Sequence, residues 1–140
     1  MANLYELFVA EWLKAHLPPD YVIKPQERVD LTKSGDLFFK IDLVLYHIGF
    51  TNPICVLDTK YKLSEDPSSD DIAQVVSYAQ TKDCNEAVLI YPSPLKHSLD
   101  GWAGDIRIRS LTFSLDGDLE EAGQEFLHQL LPQIHDENSI

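Results

Sequence analysis

The 140 residues predict an α/β (α+β) domain, a central mixed β-sheet with helices on both faces. Three observations predict it. Amphipathic helical patterns open and close the chain, short β-prone apolar runs fill its middle, and a helical stretch near 70–82 separates the third run from the fourth. No internal repeat, low-complexity tract or composition shift divides the sequence, so residues 1–140 are expected to form a single domain. That length buries roughly two-thirds of the unfolded surface.

Residues 3–17 read as the first helix, with Asn3 as N-cap and Pro18-Pro19 as the stop. At about 100° per residue, Tyr5, Phe8, Val9, Trp12 and Leu13 cover one apolar arc, and Glu6 projects at its margin. A carboxylate there is costly unless a charged group meets it. YVIKPQERVDL (21–31) reads as a strand whose Pro25 suggests an edge or a bulge. A turn at 32–36 leads to LFFKIDLVLY (37–46), a second turn at 47–53 leads to ICVLDTKY (54–61), and the three strands form a meander. The polar loop 62–70 ends at Ser68 or Ser69, either of which can cap the helix of about 70–82, and Ser68 with Asp71 fits a capping box. EAVLIYP (86–92) is a buried-type strand, DIRIRSLTFSL (105–115) alternates like a final strand, and DLEEAGQEFLHQLLPQI is an amphipathic closing helix.

A composition of 44% hydrophobic and 24% charged residues is ordinary for a soluble globular chain. No apolar run approaches the ~20 residues of a membrane span, and the acids in MANLYELFVAEWLKAHL do not fit a signal peptide, so a cytoplasmic protein without membrane contact is expected. Cys55, in an apolar run, and Cys84, in a polar stretch, read as reduced thiols. The five histidines lack zinc-ligand spacing, and no Gly-rich loop offers a nucleotide site. Trp12 reads as core, Trp102 in DGWAGD as an exposed loop aromatic able to contact a partner. The formal charge of −12 argues against a chain that grips nucleic acid by itself. Much of that charge lies late, where residues 100–140 hold nine acids against Arg107 and Arg109.

Two features break the strand pattern. Asp42 sits inside FFKIDLVLY, where aspartate is disfavoured, and Asp58-Thr59-Lys60 follows ICVL directly. Residues two apart on a strand share a face, so Asp58 and Lys60 point the same way, with Asp42 on the natural partner strand. Two close carboxylates repel unless a cation intervenes, and oxygen ligands of this kind suit Mg²⁺ or Mn²⁺. A lysine beside them can orient an attacking water or stabilise charge building on phosphorus. Glu6 would complete the set as a ligand or water-positioning group. Gln74 and Tyr78, four apart, share a face of the following helix, where Gln74 would reach a metal-bound water or phosphate and Tyr78 the backbone or Lys60. The plainer alternatives are a surface ion pair for Asp58 and Lys60, a solvated strand-edge Asp42, a helix-surface Glu6, and a helix with a polar flank and a packed tyrosine.

Glu6 in LYELFVAEWL, Asp42 in FKIDLVL, VLDTKYK (56–62), DIAQVVSYA (71–79) and AVLIYP (87–92) together resemble the PD-(D/E)XK nuclease superfamily, and more narrowly the nuclease domain of McrC, the cleavage subunit of the McrBC modification-dependent restriction system. The resemblance covers residues 4–95. It implies a restriction-endonuclease-like core and Mg²⁺-dependent hydrolysis of DNA phosphodiesters. It also implies metal ligation by Asp42, Asp58 and the Thr59 backbone carbonyl, Lys60 as catalytic lysine, Glu6 as the first-helix glutamate, and Gln74 and Tyr78 as the QxxxY element. Ile41 stands where the motif's name has proline. The region by which McrC proteins engage their GTP-driven McrB motor has no counterpart here, so an excised domain, a truncated relative or a stand-alone variant is expected.

The resulting expectation is a Mg²⁺-dependent DNA endonuclease whose sequence recognition comes from a motor or another DNA-recognition subunit, and a homodimer would allow both strands to be cut. The alternatives are a non-catalytic nucleic-acid-binding or assembly module of the same fold and a branched-DNA or RNA nuclease of the superfamily.

Overall fold

A computed structural model describes residues 2–62 and 66–131. Along the chain run α1 (Ala2–His16), β1 (Tyr21–Asp30), β2 (Phe38–His47), β3 (Cys55–Thr59), α2 (Ser69–Lys82), β4 (Glu86–Tyr91), β5 (Asp100–Ala103), β6 (Ile106–Thr112) and α3 (Leu119–Leu130). The strands form one sheet in the order β1-β2-β3-β4-β6-β5. β1, β2 and β3 are the expected antiparallel meander, whereas β3, β4 and β6 run parallel and β5 closes the far edge antiparallel to β6. A six-stranded mixed sheet flanked by three helices is the restriction-endonuclease-like core that the resemblance implies.

Two apolar layers hold the helices to the sheet. On one face Tyr5, Val9, Trp12 and Leu13 of α1 and Phe126 and Leu130 of α3 pack against Leu43, Leu45, Leu57, Val88 and Ile90. α1 and α3 approach so closely that a Cβ on Gly123 would sit 2.2 Å from Trp12 Cζ2, so only glycine fits there. On the other face Val75 and Ala79 of α2 cover Val44, Val56, Ala87, Leu89 and Ile108. β3 and β4 are sandwiched between these layers, and their near-continuous apolar runs match burial on both sides. α2 is capped as the sequence suggests: the Ser68 hydroxyl accepts from the Asp71 N–H at 3.1 Å, and Asp83 in the left-handed region ends the helix.

Several expectations need correction. Asn3 is helical rather than an N-cap. β3 ends at Thr59 and β6 at Thr112, earlier than their β-prone runs suggest. Trp102 is exposed, but on strand β5 rather than a loop. β5 has four residues, one of them glycine, too few for alternation to reveal. Ser64 in the expected loop, and the last residues of the expected closing helix, fall outside the described residues. Among the described residues no helix is long and apolar enough to cross a membrane, and both cysteines are buried free thiols.

Candidate active site

The antiparallel register pairs Leu43 with Leu57, so one step further Asp42 stands across from Asp58, where β2 and β3 part. The location is the C-terminal end of β3, just before α2, the end of a parallel strand where α/β sheets bind ligands. β2 changes hand here. Leu43 and Leu45 face the α1–α3 layer, yet Phe39 and Ile41, of the same parity, pack toward α2. β1 does the same, with Ile23 on the first side and Val29 on the second. The reversal coincides with Gln26, whose φ of 54° interrupts the ladder across from Asp42. Strict alternation would hide Asp42 on one face of the sheet. The kink instead lets it meet groups from both.

Asp42 Oδ2 accepts from the Thr59 N–H and from the Thr59 hydroxyl, both at 3.1 Å. From the α1 side Glu6 reaches the same neighbourhood, held by a hydrogen bond from Gln26 Nε2. From the other strand the Asp58 carboxyl comes close enough to Asp42 for the two acids to affect each other's ionisation. Burial pushes Asp58 up to about 7, and the neighbouring Asp42 carboxylate adds to the rise. Burial raises Asp42 as well, and the charge of Glu6 contributes. The bare pair thus resists carrying two negative charges.

Lys60 Nζ lies 2.8 Å from Asp58 Oδ2, 3.1 Å from Gln74 Oε1, to which it donates, and 3.6 Å from Asp71 Oδ1. Burial works against its ammonium, but the carboxylates of Asp58, Asp71 and Asp42 outweigh this and raise its pKa. Tyr78 stacks on Phe39 with ring centroids 5.1 Å apart and interacts with Gln74. Its hydroxyl is raised by burial and by the Asp58 and Asp42 charges. All the residues singled out from sequence therefore converge: Glu6, Asp42, Asp58, Thr59, Lys60, Gln74 and Tyr78. Gln74 differs in detail, spending its side-chain oxygen on Lys60.

Sequence reading missed three participants. Gln26 kinks β1 and positions Glu6. Asp71, beyond its role at the helix start, binds Lys62 at 2.6 Å and faces Lys60. Tyr91, fully buried at the end of β4, lies within reach of the Asp58 and Asp71 charges, next to Ile90, whose carbonyl accepts from the Lys60 N–H at 2.8 Å. Among the described residues the buried side-chain polar atoms without a well-formed hydrogen bond are Asp58 Oδ2, Asp71 Oδ2 and the Tyr91 hydroxyl. Asp58 and Asp71 both face Lys60, and the Tyr91 hydroxyl feels the charges of both. Asp58 Oδ2 and Asp71 Oδ2 each face a lysine ammonium, at 2.8 and 2.6 Å.

The chemistry of the donors fits a small divalent cation. Two neighbouring carboxylates, one buried and one half-buried, are both costly to ionise. Among the described residues no three His, Cys, Asp or Glu side chains are grouped to hold a metal. Two aspartates, a backbone carbonyl and solvent or phosphate oxygens would suit Mg²⁺, which rarely takes an all-protein cage. A cavity of about 620 Å³ lies elsewhere, beside Leu95, Leu99, Arg107, Arg109 and His128, and includes none of these residues.

No curated protein matches the chain. A family model described as the McrBC 5-methylcytosine restriction system component matches residues 1–92 of the 140, and the chain belongs to that family.

Proposed function

We propose that the chain is a Mg²⁺- or Mn²⁺-dependent DNA endonuclease of the PD-(D/E)XK type, the cleavage component of a McrBC-like restriction system. The observation that carries this reading is the close approach of the half-buried Asp42 to the buried Asp58, with Lys60 alongside. Asp42, Asp58 and the Thr59 carbonyl would hold the cation. When bound, it would supply a more acidic water and a polarised phosphate oxygen. Thr59, through its N–H and hydroxyl, fixes one oxygen of Asp42 and so limits how that carboxylate can turn. Lys60, partly buried and kept charged by its carboxylate neighbours, is suited to stabilise negative charge on the phosphate. Gln74 sets where the ammonium sits, and Gln26 does the same for Glu6, which lies where it can orient a water.

A net charge of −12 leaves little attraction for a duplex. Grip and base recognition would then come from a partner, such as a GTP-driven McrB-like motor or another DNA-recognition subunit, with a homodimer supplying the second cut.

The test is plasmid cleavage with Mg²⁺ or Mn²⁺, comparing wild type with Asp58→Ala and Lys60→Ala. Cleavage by wild type and its loss in both variants supports the reading. Equal activity in all three removes it and leaves a binding or assembly module of the same fold. A panel of duplex, branched DNA and RNA substrates distinguishes the nuclease classes.

A further inference from the structure

Lys60 occupies one of the two oxygens that Asp58 can offer a divalent cation. Its Nζ is 2.8 Å from Asp58 Oδ2, and an ammonium and a divalent ion do not share one carboxylate oxygen in a part-buried site. Lys60 must therefore leave before Asp58 can ligate a cation through Oδ2. The departure is costly if nothing receives it, because the side chain is only 19% exposed and an unpaired ammonium there loses its hydration. Gln74 offers a neutral oxygen, which holds position but supplies no countercharge.

We infer that Asp71 is the positioning residue that receives Lys60, so that the lysine moves from Asp58 to Asp71 when the strand-end carboxylates take up a divalent cation. This rests on the nuclease reading above. Three features support it. Asp71 Oδ1 is 3.6 Å from Lys60 Nζ, a short side-chain rotation from contact. Asp71 is itself 13% exposed, and Lys62 holds its Oδ2 at 2.6 Å, which leaves Oδ1 facing Lys60. Its present partner, Lys62, is 44% exposed and can return to water cheaply, as solvent-facing ion pairs generally do. Asp71 is also anchored, because its N–H is bound by the Ser68 hydroxyl in the first turn of α2. Lys60 thus has two carboxylates to choose between, and the choice is coupled to whether Asp58 is engaged.

The test is calorimetric titration of Mn²⁺ into the full chain without DNA, for wild type, Asp71→Asn, Lys60→Met and the double variant. The expected result is about tenfold weaker binding by Asp71→Asn, within the range of typical coupling between sites. In the Lys60→Met background the same Asp71 change is expected to have no effect. Asp71→Glu should recover most of the affinity. Circular dichroism checks the fold, and the Ser68 cap is retained because it uses the backbone. In cleavage assays at saturating Mn²⁺, Asp71→Asn should lower kcat with little change in KM for DNA. Unchanged Mn²⁺ affinity in Asp71→Asn overturns the inference, as does an equal loss with and without Lys60, which would mean that Asp71 touches the cation itself. A wild type that neither binds Mn²⁺ through Asp58 nor cleaves DNA removes the nuclease reading and this inference together. A wild type that binds and cleaves beside an equally competent Asp71→Asn removes this inference alone.

Discussion

Asp58 and Arg109 are the buried charged residues among those described, and their ion pairs are built differently. Arg109 on β6 gives Nε to Glu86 Oε1 at 2.8 Å and Nη1 to the carbonyl of Gln129 at 2.7 Å; Nη2 reaches Glu86 and, at 3.3 Å, the carbonyl of Leu130. One guanidinium thereby ties β6 to β4 and to the last turn of α3, whose carbonyls would otherwise lack partners. Asp58–Lys60 is the opposite case. One carboxylate oxygen has no well-formed hydrogen bond, a second acid presses against the first, and the lysine is shared among three acceptors. A buried charge with complementary partners on every side fastens elements together, whereas one pressed against a like charge is costly to ionise. This difference singles out the end of β3 rather than the cavity beside Arg109.

The largest expected contrast is in activity. Asp58→Ala or Lys60→Ala should lower metal-dependent plasmid cleavage by about 10²–10³-fold or more, as removal of a transition-state contact does, with the fold intact by circular dichroism. Arg109→Ala should do the reverse, leaving cleavage per folded molecule unchanged while costing about 3 kcal/mol of stability, because Glu86 loses its partner. Chemical denaturation measures this, and a loss of activity without a loss of stability would erase the distinction between the pairs.

Next in size is Gln26→Ala. Freeing Glu6 should reduce cleavage about tenfold, the usual scale for groups that orient others around a metal site; steady-state kinetics at fixed Mg²⁺ reads it. The smallest effect is a gain. In EDTA at pH 8, Asp58→Asn should melt about 2–4 °C above wild type, corresponding to roughly 1 kcal/mol. The sign follows from the raised pKa. The folded state holds the Asp58 proton more tightly than the unfolded state, whose carboxyl titrates near 3.8. The contribution of Asp58 is thus favourable below about 4, falls as the pH rises toward about 7, and stays low above it. The advantage of the asparagine variant should accordingly widen between pH 5 and pH 8 in thermal melts. A variant less stable than wild type at pH 8 would show that Asp58 is a fastener like Glu86.

Much of this was legible in the residues. The meander, α2 with its Ser68 cap, and the buried β4 follow from period, turn chemistry and β-branched runs. Asp42 and Asp58 stood out because aspartate in an apolar strand needs a reason. What was not legible depended on backbone geometry or on long-range pairing. Gln26 reads as an ordinary residue after Pro25, and only its positive φ reverses the facing of two strands. Asp71 looked like half of a capping box, and its second partnership depends on where the loop returns Lys60 and Lys62. Tyr91 was lost in an apolar run because hydroxyl and ring read alike when only hydrophobicity is scored. β5 is specified mainly by its pairing with β6, which four residues cannot announce.

The most direct test of the central claim is a crystal of the chain soaked in Mn²⁺, with anomalous scattering collected at the manganese edge. The proposal predicts one strong peak between the carboxylates of Asp42 and Asp58, beside the Thr59 carbonyl. A peak anywhere else, or none with both aspartates ordered, would contradict it.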